Sequence, residues 1–79
     1  MDNYYLQTLG EIINIKRKSL GMSQLELSIN AGHKSAAYIS WIEQGKRNVT
    51  IKDLFTILAI LDIQLLYKHR QDNNITFIN

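Results

Sequence analysis

The sequence predicts a small, mainly α-helical domain: four helices, then a short C-terminal β-strand or hairpin. Two observations carry this prediction. Apolar residues recur at helical spacing in four segments, each marked by a capping residue before it or a glycine after it. After Asp62 the period drops to two, with Ile63, Leu65 and Tyr67 on one face. The chain has 79 residues, the size of one domain, and no proline, so glycines and caps supply the punctuation.

The first predicted helix runs from about Tyr5 to Leu20. Tyr5, Leu9, Ile12, Ile13 and Leu20 fall near one stripe of a 3.6-residue period. Lys16, Arg17 and Lys18 suit the negative end of its dipole, and Gly21 follows as a stop. Ser23-Gln24-Leu25-Glu26 opens the second helix as a capping box, Leu27 and Ala31 point inward, and Gly32 ends it. Ser28 is small, as a close helix crossing requires. Ser35 is the expected N-cap of the third helix, Ile39 and Ile42 its buried side, Gly45 its stop. Thr50 caps the fourth helix, with Asp53 as a weaker box partner and Leu54, Ile57, Leu58 and Leu61 as the apolar stripe. Residues 63–79 then read as strand, turn (Gln71 to Asn74) and a second strand or tail from Ile75 to Ile78. Two strands alone are marginal in water, and a second copy of the chain is the simplest partner.

Composition narrows the function. With no cysteine, disulfides and cysteine zinc sites are excluded, which fits a reducing, cytoplasmic setting. Net charge is +2, compatible with nucleic acid without demanding it. No signal peptide is expected from MDNYYLQTLGEI, and no apolar run approaches a membrane span, so no membrane partner is expected. The two histidines lie far apart and no glycine-rich phosphate loop follows a strand, so neither an enzyme, a metal site nor a cofactor is expected.

The second helix, a short connection and the third helix form a helix-turn-helix candidate. The stretches RKSLGMSQLELSINAG and AAYISWIEQGKRNVTIKDLFTILAIL resemble the Cro/repressor-type family in register across four helices. The resemblance implies a lambda-repressor-like helix-turn-helix DNA-binding domain over residues 1–62. It implies that Arg17 and Glu43 form an internal ion pair, and that Gln24 clamps the DNA backbone. The turn GHKS departs from the pattern by one extra residue, with His33 or Lys34 in place of a small apolar plug; Val49 stands where Pro is common, and Leu58 replaces a common Ala. The segment VTIKDLFTILAILDIQLLY resembles HipB-type antitoxins. That likeness implies a homodimer paired through the strand at Ile63, Leu65 and Tyr67, autoregulation of its operon, and a kinase-like toxin as partner.

On this reading Lys34, Ala36, Ala37, Ser40 and Trp41 face the bases of double-stranded DNA, on a palindromic operator. Ser23, Gln24, Tyr38, Gln44, Lys46 and Arg47 address phosphates, which position the protein without reading sequence. Arg-to-guanine or Gln-to-adenine pairs are missing from the start of the third helix, leaving methyl contacts and DNA shape. Two alternatives stand beside this one: a phage or mobile-element repressor, and a protein-interaction module that keeps the fold without reading bases. For Trp41 the competing assignment is packing within its own domain over a Lys or Arg stem.

Overall fold

The computed structural model describes residues 3–68 and 75–77. The expected turn at Gln71 to Asn74 lies outside the described residues, as does Ile78. Four helices, α1 (Asn3–Ser19), α2 (Gln24–Asn30), α3 (Ala37–Glu43) and α4 (Ile51–Ile60), precede two strands, β1 (Leu66–Lys68) and β2 (Ile75–Phe77). Ile13, Leu27, Tyr38, Ile39, Ile42, Ile57 and Leu61 form one core, with Leu9, Met22, Ala31, Val49, Ile60 and Ile63 packed around it. Val49, standing where proline is common, is therefore part of the core's rim, and Leu58 is buried in its larger form.

The inward stripe of α1 differs from the expected one. It runs through Gly10, Ile13 and Arg17, all buried, while Tyr5, Ile12 and Leu20 are exposed. A stripe containing a glycine and an arginine is invisible to a hydrophobicity count, because Arg17 is inside only by virtue of its partner. Gly10 is the point where α1 meets α3. A Cβ there would lie 2.4 Å from the Ile42 carbonyl oxygen and 2.6 Å from that of Glu43.

All four helices close in the same way. After each, one residue enters the left-handed region and two backbone N–H groups fold back, so that the last carbonyls are satisfied. Gly21 N donates to Lys18 O and Met22 N to Arg17 O; Gly32 N to Ile29 O and His33 N to Ser28 O. Gly45 N donates to Ile42 O and Lys46 N to Trp41 O; Asp62 N to Ala59 O and Ile63 N to Leu58 O. The fourth closure uses Asp62 at φ 58°, a conformation that costs a non-glycine residue energy, less so for Asp than for most.

The N-termini divide. The capping box of α2 is complete: Ser23 Oγ accepts from Glu26 N and Glu26 reaches back to Ser23 N. Thr50 Oγ1 accepts from Asp53 N, but the Asp53 carboxylate does not return to the cap; it is engaged by α3 and the turn before it. Ser35 is not the cap of α3. That position falls to Ala36, which makes no side-chain bond, and Ser35 instead offers its carbonyl oxygen to the buried Ser28 hydroxyl at 2.5 Å. A seven-residue helix without a cap depends on its packing against α1 and α2.

β1 and β2 pair antiparallel within the chain, Leu66 opposite Phe77, Tyr67 opposite Thr76 and Lys68 opposite Ile75. The two described strands are therefore antiparallel neighbours. β1 starts at Leu66 rather than at Ile63, because Ile63 completes the α4 closure and packs on the core. No helix among the described residues is long and apolar enough to cross a membrane.

Candidate nucleic-acid interface

α3 rests on α1 through Gly10, and on α2 through Leu27 and the Ser28–Ser35 bond. Its inner side is Tyr38, Ile39 and Ile42. Ala36, Ala37 and Ser40 are left half-covered, and Lys34, Trp41, Gln44, Lys46 and Arg47 are exposed. Five side chains assigned to base contact, Lys34, Ala36, Ala37, Ser40 and Trp41, thus lie on or just before the uncovered side of α3. Gln44 Nε2 donates to Ser40 Oγ at 2.8 Å, one helical turn back, so both polar groups of this side are tied to each other.

Behind α3 sits a polar hub centred on Glu43, whose side chain is only 4% exposed. Arg17 Nε donates to Glu43 Oε2 at 2.6 Å and Nη2 to Oε1 at 3.1 Å, while Nη1 donates to the Met22 carbonyl at 2.8 Å. Asn14 Nδ2 and Gln24 Nε2 donate to Glu43 Oε1 at 2.8 and 2.9 Å. Burial alone would raise the Glu43 pKa. The hydrogen bonds from Arg17, Asn14 and Gln24 and the charge of Arg17 outweigh it, holding the carboxyl below its ordinary 4.5. The expected ion pair is present, with two more donors than expected. One of them is Gln24, whose amide is turned inward to Glu43 in the free protein rather than held out for DNA. Ser23 likewise spends its oxygen on the α2 cap.

In front of α4 lies an assembly that sequence reasoning missed. Tyr38, assigned to phosphate contact, is 8% exposed, and its hydroxyl donates to Asp53 Oδ2 at 2.5 Å. That bond engages the hydroxyl within the chain, on Asp53 of α4. Burial, then the bond to Asp53 and its charge, push the phenol up to about 12 against a smaller opposing effect of Arg47. His33 lies flat on Tyr38, ring centroids 3.8 Å apart and planes at 22°, with Nε2 3.1 Å from the same Asp53 oxygen. His33, the position where a small apolar plug is common, is thus a half-exposed imidazole that stacks on Tyr38 and contacts α4. The bond from Tyr38, opposed by burial and aided by His33 and Lys52, holds the Asp53 carboxyl below its ordinary 3.8.

Arg47 completes this assembly. Its guanidinium carbon stands 5.1 Å from the Tyr38 ring centroid and 5.7 Å from that of Trp41. The packing assignment for Trp41 is thus half met: the indole carries an arginine and is still 45% exposed. A possible signal was available. The residue directly past a helix-ending glycine often packs back on the structure; His33 follows Gly32, and an aromatic, Tyr38, lies five residues after it. No His, Cys, Asp and Glu cluster able to hold a metal occurs among the described residues.

Comparison with known proteins agrees with this geometry. No curated protein matches the chain at a significant level. Among solved structures, the restriction-modification controller protein C.AhdI from Aeromonas hydrophila superposes with a TM-score of 0.70 at 28% identity, over 77% of this chain and 87% of that one. The wild-type restriction-modification controller protein C.Esp1396I superposes with a TM-score of 0.68 at 33% identity, over 76% of this chain and 77% of that one. The helix-turn-helix family profile matches residues 13–68, from the middle of α1 through β1. The chain belongs to the helix-turn-helix family of DNA-binding transcription regulators.

Proposed function

We propose that the protein is a homodimeric repressor that binds a palindromic operator, each α3 entering a major groove about one helical turn from the other. The observation that carries this reading is the uncovered side of α3, flanked by the exposed cations Lys34, Lys46 and Arg47. Lys46 and Arg47 bind phosphate, with Gln44 beside them; Gln24 and Ser23 would join them only by exchanging the Glu43 and cap bonds they hold in this structure for phosphate. Ala36, Ala37 and Trp41 supply apolar contacts to thymine methyls, and Lys34 and Ser40 hydrogen bonds, with DNA shape adding the rest. Dimerisation uses the strand pair. A lone two-stranded sheet is marginal, and a second copy would extend it through Leu65 and Tyr67. Ile63, packed on its own core, contributes less than its spacing suggested.

Electrophoretic shift and footprinting on the protein's own promoter test the reading. Protection of two half-sites is expected, with a salt slope that falls by about one for each phosphate contact removed in Lys46→Ala and Arg47→Ala. No protection even at low salt would sink it. For the dimer, sedimentation of Leu65→Lys is expected to show monomer; an unchanged dimer would move the interface elsewhere.

As to what is regulated, the controller proteins that superpose on this chain favour control of a restriction-modification system. The strand pair after α4 favours the second reading, an antitoxin that binds a kinase-like toxin. The neighbouring gene separates them: a restriction endonuclease or methyltransferase supports the first, a kinase-like protein that co-purifies with this chain the second.

A further inference from the structure

Resting on the DNA-binding reading above, we propose that His33 and Asp53 are positioning residues that act through Tyr38 to hold Arg47 as a preset phosphate fork. Arg47 lies over two aromatic faces, 5.1 Å from the Tyr38 centroid and 5.7 Å from that of Trp41. A guanidinium held by its charge near ring faces need not spend its N–H donors there, which leaves them for a two-oxygen acceptor. Among the described residues no carboxylate makes an ion pair with it. Phosphate is the acceptor that its geometry matches, and Arg47 lies next to the uncovered side of α3.

The platform under Arg47 is unusually fixed for a surface. One oxygen, Asp53 Oδ2, takes a hydrogen bond from Tyr38 and lies 3.1 Å from His33 Nε2. His33 stacked at 3.8 Å prevents the Tyr38 ring from swinging. A phenol that donates to an anion pushes electron density into its ring, which increases the attraction for a cation above it. Because Tyr38 titrates only at about 12, it remains a donor at any working pH. An exposed arginine loses rotamer freedom when it grips phosphate; one already laid on two rings loses less. Asp53 sits in the first turn of α4 with its carboxylate spent on the rings, so its influence on DNA would pass through Tyr38 and Arg47.

The full-length chain is titrated by fluorescence anisotropy against two duplexes of equal length, its own promoter and a random sequence. Asp53→Asn is combined with Arg47→Ala. If Asp53 acts through Arg47, Asp53→Asn weakens binding about three- to tenfold with Arg47 present and less than about twofold in the Arg47→Ala background, because coupled sites do not add. The emission of Trp41, the only tryptophan, is expected to shift the same way in Asp53→Asn and in Arg47→Ala. His33→Phe, which keeps the stack, is expected to bind better than His33→Ala. Equal fold-losses in both backgrounds, or no loss with Arg47 present, overturn the proposal and leave the DNA reading intact. Failure of the unaltered chain to bind either duplex overturns both. Should Asp53→Asn not fold, Tyr38→Phe, which keeps the ring and removes the donated bond, replaces it with the same expectations.

Discussion

Two carboxylates flank α3, and the protein treats them differently. Glu43, at its C-terminal end, is 4% exposed and takes four hydrogen bonds from Asn14, Arg17 and Gln24, tying α1, α2 and α3 together. Asp53, across from its N-terminal half, is 18% exposed and engages Tyr38 and His33, tying the turn, α3 and α4. The first is saturated and closed to solvent. The second is open, and its far side carries an arginine that has no anion of its own among the described residues. The comparison teaches that one short helix can be anchored by a buried ion pair at one end and by a surface-facing assembly at the other.

That contrast can be broken most forcefully at the buried end. Glu43→Ala strands the Arg17 guanidinium and is expected to cost about 3–5 kcal/mol in urea unfolding; a loss as small as that of an exposed residue would mean the hub is not what holds the helices. Gly10→Ala tests the same crossing without touching charge. Its methyl would meet two carbonyl oxygens, at 2.4 and 2.6 Å, and about 1–3 kcal/mol should be lost.

Acid sharpens the comparison further. Both carboxyls lie below their ordinary values of 4.5 and 3.8 in the folded chain. A depressed folded pKa contributes stability that is present above the unfolded value and lost as pH falls through the folded one. Melting temperature should therefore decline as pH drops below about 4.5, and Glu43→Gln should flatten that decline more than Asp53→Asn. The reverse order would make the open cluster the structural one. The smallest effect lies outside both clusters. Asp62→Gly relieves a left-handed residue at φ 58°, but glycine also frees the unfolded chain, so thermal melting should change by less than about 1 kcal/mol, without changing operator affinity.

The parts legible in the sequence were those written in local terms. Capping by Ser23 and Thr50, the stops at Gly21, Gly32 and Gly45, and the apolar stripe of α4 all depend on neighbours in the chain. The Arg17–Glu43 pair was legible only through family resemblance, since 26 residues separate its members. What stayed hidden was long-range competition for one group. Asp53 could have capped α4, and by spacing it should have; a phenol and an imidazole from elsewhere took its oxygen instead. Ser35 was expected to cap α3, but the helix starts at Ala37 with Ala36 in the cap position, and the Ser35 carbonyl takes the Ser28 hydroxyl. The stripe of α1 was misplaced for the same kind of reason, because Arg17 became an inside residue only once Glu43 existed to receive it.

Gly10 also bears on how such a protein can change its target. α3 is seated by two carbonyl oxygens against a bare Cα, a contact made of atoms that no substitution on α3 can alter. If the proposed DNA reading holds, Ala36, Ala37 and Ser40 can then be exchanged one at a time without shifting the depth at which α3 is presented. A lineage could drift from one operator to another through single replacements, each inheriting the same seat.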